Sequence, residues 1–182
     1  MSKEAKLAKI RAMLSESSSG RDLFTLEPNR YALFIVHLYE DEGVIFWLSR
    51  TPDGKRYITE DPDYELSLGN RVSRRHALPV YCKPGGWKVL VGSTDARGLL
   101  GQILTLLEAT GDPDTVIYVA RTGSGLETRY AVHPAIVVKP EEAKALTEEY
   151  KNAPPPPTVQ QVWEVVRRVF AKKKEETYDE EV

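Results

Sequence analysis

The sequence predicts an α+β fold in which an antiparallel sheet packs with helices, followed by a Pro-rich linker and a C-terminal oligomerisation helix. Short segments rich in β-branched and aromatic residues are joined by tight turns, which is typical of antiparallel hairpins. Other segments carry apolar residues at helical spacing. Four consecutive prolines then hold the chain extended before a last helical segment. We therefore divide the chain into a globular domain (1–152), a linker (153–157) and a zipper-like helix with a charged tail (158–182).

The first third of the chain predicts one helix and three strands. Residues 2–15 place four apolar side chains on one side of a helix, namely Leu7, Ile10, Met13 and Leu14. Residues 31–39 and 44–50 have strand composition, and the polar turn between them predicts that they pair as a hairpin. A third strand at 55–59 follows the turn TPDG. The acidic run TEDPDYE that follows is interpreted as a solvated loop.

The middle of the chain predicts a hairpin and the main helix. Residues 76–83 and 87–91 are predicted strands around Pro84-Gly85-Gly86, and Pro79 indicates an edge strand because proline cannot donate to a ladder. The next helix is predicted to begin with Ser93 or Thr94 as its cap and Asp95 in its first turn, and to end at Gly111. Its leucine-rich stripe at 99–107 should pack across the sheet.

The last third predicts two strands, one helix and the oligomerisation helix. Strands at 115–121 and 128–138 precede a helix that starts at Pro140 and runs to about Lys151. Beyond the prolines, apolar residues follow or flank a heptad spacing: Val159, Val162, Trp163, Val166, Val169 and Phe170. Exposed apolar area of this kind marks an interface, so we predict a homodimer formed through this helix. The alternative is that the helix packs back on its own domain.

The stretch from Leu66 to Thr94 concentrates positive charge in an acidic protein. It contains no Asp or Glu and five basic residues, which leaves 20 basic and 27 acidic residues elsewhere. The basic residues are Arg71, Arg74, Arg75, Lys83 and Lys88. Cations interleaved with Tyr81 and Trp87 suit a chain of phosphates with stackable bases.

Strand alternation places Tyr81, Lys83 and Trp87 on one side of their hairpin and Cys82 on the core side. We expect Trp47 to join this face from its own strand, with Arg71, Arg74 and Arg75 as a rim. The opposing interpretation is that the aromatic residues belong to the core and the arginines keep a loop soluble.

Other chemistry finds little support in the sequence. The single cysteine, Cys82, excludes an intrachain disulfide, and the three histidines lack metal-ligand spacing. The glycine turn VGSTDARG precedes a helix, but it lacks the Gly-Lys-Ser/Thr ending of a P-loop. We therefore expect no catalysis, no metal and no cofactor. The apolar runs are too short for a membrane span, no signal-peptide core is present, and a cytoplasmic location fits best.

In its order of elements the chain resembles ThermoDBP, the single-stranded DNA-binding family of hyperthermophilic crenarchaea. The likeness covers an N-terminal helix, a compact α+β domain with cations among aromatic residues, a proline break and a short zipper. Low Asn and Gln content beside abundant Glu, Lys and Arg is typical of hyperthermophile proteins. The resemblance implies a hydrophobic cleft lined by basic residues, which binds single-stranded DNA, and dimerisation through the C-terminal helix.

We accordingly expect sequence-tolerant binding of single-stranded DNA. Trp47, Tyr81 and Trp87 would stack on bases, while the five cations of the 66–94 stretch would neutralise phosphates. Two alternatives stay open at this point. The ligand could be RNA or the ribosome, or the protein could be a non-enzymatic adaptor that binds other proteins.

Overall fold

The computed structural model describes residues 2–18, 23–83 and 85–172, and it confirms the α+β class. Seven strands form one antiparallel sheet: β1 (Tyr31–Val36), β2 (Val44–Arg50), β3 (Arg56–Thr59), β4 (Arg71–Cys82), β5 (Gly86–Gly92), β6 (Ile117–Thr122) and β7 (Arg129–Pro134). Their order is β3-β2-β4-β1-β6-β7, and β5 pairs with β4.

Helices pack on both faces of this sheet. The described α-helices are α1 (Lys3–Ser18), α2 (Pro62–Ser67), α3 (Leu99–Thr110), α4 (Ala135–Val138), α5 (Pro140–Lys151) and α6 (Val159–Val169). Of these, α3 packs on one face, and α5 and α6 pack on the other. Along β4, Val80 and Cys82 are buried with α3, whereas Tyr81 packs with α5 and Ala77 with α6. We call these two sides the α3 face and the α6 face. In the described part of the chain, no helix has the length and apolar character that crossing a membrane requires.

β1 and β2 lie end to end along one edge of β4. Val44–Arg50 pair with residues 71–77 of β4, and Phe34–Val36 pair with residues 80–82. β5 pairs with residues 76–82 and overlaps both, so it occupies the opposite edge. The predicted hairpin between the first two strands is therefore wrong. Both run antiparallel to β4, and the polar turn carries the chain from one part of that edge to the next.

Pro79 lies in the interior of the sheet, and the prediction of an edge strand is wrong. It falls between Ala77, the last residue paired with β2, and Val80, the first paired with β1. Its carbonyl accepts a hydrogen bond from the backbone N–H of His37 at 2.9 Å. Proline is tolerated here because its missing donor coincides with the break between two ladders.

The main helix packs on the sheet as predicted but begins later. α3 starts at Leu99 with Gly98 as its cap, and no side chain bonds its first N–H groups. Ser93 instead accepts from the backbone N–H of Asp95, whose carbonyl accepts from Gly98 at 2.8 Å. A side chain at Gly101 would lie 2.0 Å from that carbonyl, so this turn packs directly against the first turn of the helix. The helix ends at Gly111, in the left-handed conformation, as predicted.

The acidic run TEDPDYE leads from the end of β3 into the helix α2 and is not the predicted solvated loop. Asp61 caps α2 by accepting from the N–H of Tyr64 at 3.1 Å. Glu65 is buried, and its Oε2 accepts from Ser49 Oγ at 2.9 Å, Tyr57 OH at 2.6 Å and Asn70 Nδ2 at 2.7 Å. The loop prediction failed because these donors come from other segments, where no local pattern reveals them.

Replacing Glu65 by glutamine is expected to lower the free energy of unfolding by about 1–3 kcal/mol at pH 7, because charge-assisted hydrogen bonds become neutral ones. Burial raises the pKa of Glu65, but its three donors and the charge of Lys172 together lower it by more, so it lies below the ordinary value of 4.5. The ionised group therefore stabilises the fold above pH 4.5, and this stabilisation is lost as the pH falls through the folded-state pKa.

Urea unfolding of both proteins between pH 7 and pH 3 measures this effect. The difference between wild type and Glu65→Gln should shrink towards acid. Glu108→Gln changes an exposed carboxylate on α3 and should have little effect at any pH. A constant difference across the range would contradict the assignment.

The C-terminal helix packs on its own chain, contrary to the prediction of a separate zipper. Val162, Val165 and Val166 are buried against β2, and the rings of Trp163 and Phe170 lie 6.2 and 5.9 Å from that of Phe46. Val159 also packs there, whereas Val169 is exposed. A zipper through the predicted stripe would first have to leave this core.

The Pro-rich segment is hydrogen-bonded to side chains of the domain that precedes it. Pro154 accepts a hydrogen bond from Trp87 Nε1 at 2.9 Å, and Pro157 accepts one from Tyr39 OH at 2.6 Å. The bond to Trp87 places the segment against the α6 face, because Trp87 lies opposite Tyr81 on that face. In α1, Leu7 and Ile10 are exposed. The side chains of Met13 and Leu14, and the predicted charged tail from residue 173, lie outside the described residues.

Candidate nucleic-acid interface

The two aromatic residues at the centre of the predicted site are buried. Tyr81 is 5% and Trp87 4% exposed, and both pack beneath α5 with Leu146 and Tyr150. The alternation that placed them on one face of the hairpin is correct, since they are directly opposite in register. The expectation that this face is open is wrong, because α5 covers it. Neither ring can stack on a base in this arrangement.

The two lysines of the same hairpin lie apart from each other. Lys83 is exposed and pairs with Glu149 at 3.7 Å, the carboxylate that also accepts from Tyr81 OH. Lys88 lies opposite Val80 in register and therefore on the α3 face, partly buried beside Gly85. An exposed ion pair contributes little to stability, but it reduces the charge that Lys83 offers to a phosphate.

Trp47 and Arg74, two of the predicted site residues, form an exposed aromatic and cationic pair, but they lie on the α3 face, so the expectation that Trp47 joins the face of Tyr81 and Trp87 is wrong. Trp47 is 42% exposed, and Arg74 is its direct cross-strand partner between β2 and β4. Opposed residues in an antiparallel pair have Cβ atoms about 5 Å apart on the same face. His76 follows Arg74 on that face. Burial, and next the neighbouring Arg74, lower the pKa of His76, and its Nδ1 has no hydrogen-bond partner.

Three arginines form a row across the end of the sheet, on the α6 face. Arg50 of β2 is paired in register with Arg71 of β4 on one side and with Arg56 of β3 on the other. We call Arg56, Arg50 and Arg71 the arginine row. Arg75 lies on the same face of β4, four residues after Arg71. The sequence analysis included Arg71 and Arg75 but missed Arg50 and Arg56.

None of the three row arginines has a carboxylate partner among residues 2–18, 23–83 and 85–172. Lysines of this part of the chain form the ion pairs Lys55–Asp53, Lys83–Glu149, Lys144–Glu141 and Lys151–Glu148. Arg75 donates from Nε to Ser73 at 3.0 Å. Burial, and next the charge of Arg56, lower the pKa of Arg75. Like charges directly opposite each other destabilise a sheet, and no carboxylate of the described residues pairs with the row to offset this repulsion.

The Trp47–Arg74 pair and the arginines of the α6 face come together at one edge of β4. Among the described strands, residues 71–75 pair only with β2, on one edge, because the pairing with β5 begins at His76. Arg74 and Trp47 lie on one side of this segment, and Arg71 and Arg75 on the other. An extended ligand that crosses the edge of β4 would contact both groups. This end of the β2–β3–β4 sheet is the candidate interface.

Catalytic chemistry gains no support from the described geometry. Burial raises the pKa of Cys82 to about 12, and a buried thiol of that kind is a poor nucleophile. In the part of the chain that the structure describes, no group of three or more His, Cys, Asp or Glu could hold a metal ion.

No family model, curated protein or solved structure matches the chain. The likeness to ThermoDBP therefore stays a prediction from the order of elements. The case for a function depends on the residues at the β2–β3–β4 end.

Proposed function

We propose that the protein binds single-stranded nucleic acid, with DNA as the expected ligand, at the end of the β2–β3–β4 sheet. The arginine row and Arg75 contact phosphates, and Trp47 beside Arg74 stacks on a base. The site is thus displaced from the β4–β5 hairpin, where the sequence first indicated it. Binding is sequence-tolerant because every base offers a ring face and every nucleotide a phosphate.

The observation that carries the proposal is the arginine row. Arg56, Arg50 and Arg71 stand side by side on neighbouring strands, which lie about 4.8 Å apart. Guanidinium groups are well suited to phosphate because they are always charged and present a planar fork of donors. Adjacent arginines repel one another in the free protein, and a polyanion that bridges them offsets this repulsion. Ordinary solubility would not require them to be adjacent in register.

Trp47 supplies what a purely electrostatic patch lacks. An exposed tryptophan beside an arginine provides a stacking surface, and stacking contributes about 1–3 kcal/mol per base. Duplex DNA keeps its bases stacked inside, so a requirement for Trp47 favours a single strand over a duplex. Single-stranded RNA offers the same rings and phosphates, and direct competition between DNA and RNA oligonucleotides distinguishes the two.

Replacing Trp47 by alanine is expected to weaken binding of a labelled single-stranded oligonucleotide by about 10- to 100-fold, on every sequence tested, because one stacking platform is lost. Fluorescence anisotropy at several salt concentrations measures the effect. The affinity of the wild type should fall steeply with salt, and Trp47→Ala should leave that slope unchanged, since it removes no charge.

Trp47→Phe is the matched control, because it keeps an aromatic ring at the same position. It should retain most of the affinity, and both variants should unfold at nearly the wild-type urea concentration, since the side chain is half exposed. The proposed function is refuted if the wild type does not bind the oligonucleotide. It is also refuted if the affinity changes neither with salt nor in Trp47→Ala.

A further inference from the structure

The described chain ends beside the arginine row. After α6, the carbonyl of Phe170 accepts the N–H of Ile58 in β3 at 3.0 Å, and Lys172 Nζ lies 5.0 Å from the centre of the Tyr57 ring. Ala171 and Lys172 line a groove of about 620 Å³ together with Arg56, the outer member of the row. The described chain therefore ends at the edge strand where the row begins.

The segment that follows is strongly acidic. Residues 175–182, EETYDEEV, contain five carboxylate side chains and no basic residue. They also contain Tyr178, in the middle of these carboxylates. A run of anions with a stackable ring has the same recognition chemistry as a short single strand of nucleic acid. Its charge complements that of three arginines with no carboxylate partner in the described part of the chain.

The distances allow the segment to reach the whole row. Val182 is the tenth residue after Lys172, and an extended chain covers about 3.3 Å per residue, or roughly 33 Å in all. The row crosses three strands, so its outer members lie only about 10 Å apart. A segment tethered this closely has an effective concentration in the millimolar range.

We propose that residues 175–182 bind across the arginine row and compete there with nucleic acid. The competition rests on the proposed function, whereas the contact between the acidic segment and the row does not. The segment thereby makes occupation of the row dependent on ligand concentration and salt. Short or scarce nucleic acids are excluded, and long strands that also engage Trp47 displace it.

The contact is tested without nucleic acid. Thr177→Cys places a thiol in the middle of the acidic segment, and a nitroxide attached there broadens the NMR signals of nearby amides. Labelling is selective, because the one native thiol, Cys82, is buried and its pKa is raised to about 12. Broadening should concentrate on the amides of Arg50, Arg56 and Arg71 at low salt and disappear in 0.5 M salt or after Arg50→Ala and Arg71→Ala. Equal broadening at Arg129, on the far edge of the sheet, would overturn the contact.

The competition is tested by neutralising the segment in the full chain. Replacing Glu175, Glu176, Glu180 and Glu181 by glutamine and Asp179 by asparagine should raise the affinity for a single-stranded oligonucleotide on the order of tenfold at 50 mM salt. The gain should vanish at high salt. A control with five exposed carboxylates neutralised elsewhere has the same net charge: Glu27, Glu108, Glu127, Glu141 and Glu148.

The two hypotheses fail in different ways. Equal affinities for the wild type, the neutralised segment and the control would overturn the competition while leaving the proposed function intact. An equal gain in the control would assign the effect to net charge and would also overturn it. If none of the proteins binds nucleic acid, the proposed function fails, and the nitroxide map still decides whether the segment lies on the row.

Discussion

Replacing Arg50, Arg56 and Arg71 together by alanine is expected to reduce the affinity for single-stranded DNA by about a hundredfold or more at 50 mM salt. Each phosphate contact to a single strand contributes about 0.7 to the slope of log affinity against log salt, so three lost contacts lower the slope by about 2. The slope and the affinity are obtained together by titrating a labelled oligonucleotide between 50 and 500 mM salt.

The matched control removes three cations that lie towards the other edge of the sheet, away from the arginine row. Arg30, Arg129 and Lys144 are exposed residues on or beside β6, β7 and α5, and replacing them by alanine changes the net charge by the same amount. The control should lose much less affinity and keep nearly the wild-type slope. An equal loss of affinity in both triple variants would show that binding depends only on the net charge of the protein. The arginine row would then have no special role.

Measuring the stability of the triple arginine variant distinguishes a binding role of the row from a structural role. The three arginines are neighbours in register and lack carboxylate partners among residues 2–18, 23–83 and 85–172. Their removal relieves repulsion, so the triple variant should be as stable as the wild type or up to about 1 kcal/mol more stable. Loss of binding with retained stability is the signature of residues kept for a ligand.

Local signals in the sequence were sufficient for most of the secondary structure. Pro140 begins α5, Gly111 ends α3, and the β4–β5 hairpin forms around Gly85-Gly86. Each of these depends on the backbone preferences of one or two residues and not on distant contacts. The acidic segment 59–65 was misassigned for the opposite reason, since the burial of Glu65 depends on Ser49, Tyr57 and Asn70.

Strand alternation identified which side chains share a face but not which face is covered. Tyr81 and Trp87 were correctly grouped, yet α5 covers them. α6 was predicted to leave the domain, yet it covers the neighbouring part of the same face. A sheet that is covered on both faces has apolar residues on both, and only the tertiary packing of helices from later in the chain decides which rings remain exposed.

The arginine row was missed because it depends on non-local register. Arg50 and Arg56 flank the turn TPDG, so a hairpin around that turn places them opposite each other, and this signal was available in the sequence. Arg71 lies opposite Arg50 because β2 pairs with β4. The predicted hairpin excluded this pairing, because it assigned β1 to the edge of β2 that β4 occupies. The wrong pairing thus hid the connection between Arg71 and the local pair of Arg50 and Arg56.

Replacing Trp87 by alanine is expected to lower the free energy of unfolding by about 3–5 kcal/mol, as for a large aromatic side chain in a core. Trp87 is 4% exposed, its ring lies 5.2 Å from that of Tyr81 and 6.1 Å from that of Tyr150, and its Nε1 donates to Pro154. The substitution therefore leaves a cavity beneath α5 and releases the segment that leads to α6. Urea unfolding followed by circular dichroism measures the loss.

Trp87 and Trp47 have opposite roles, and measuring stability and binding for both variants tests this contrast. Trp87→Ala should destabilise the protein while the folded fraction keeps its affinity for DNA, whereas Trp47→Ala should weaken binding with little effect on stability. Trp87→Phe, which keeps a ring but loses the N–H to Pro154, should recover most of the lost stability. If Trp87→Ala instead abolishes binding with a small change in stability, α5 must open on the ligand and expose the hairpin face. The site would then be the one that the sequence first indicated.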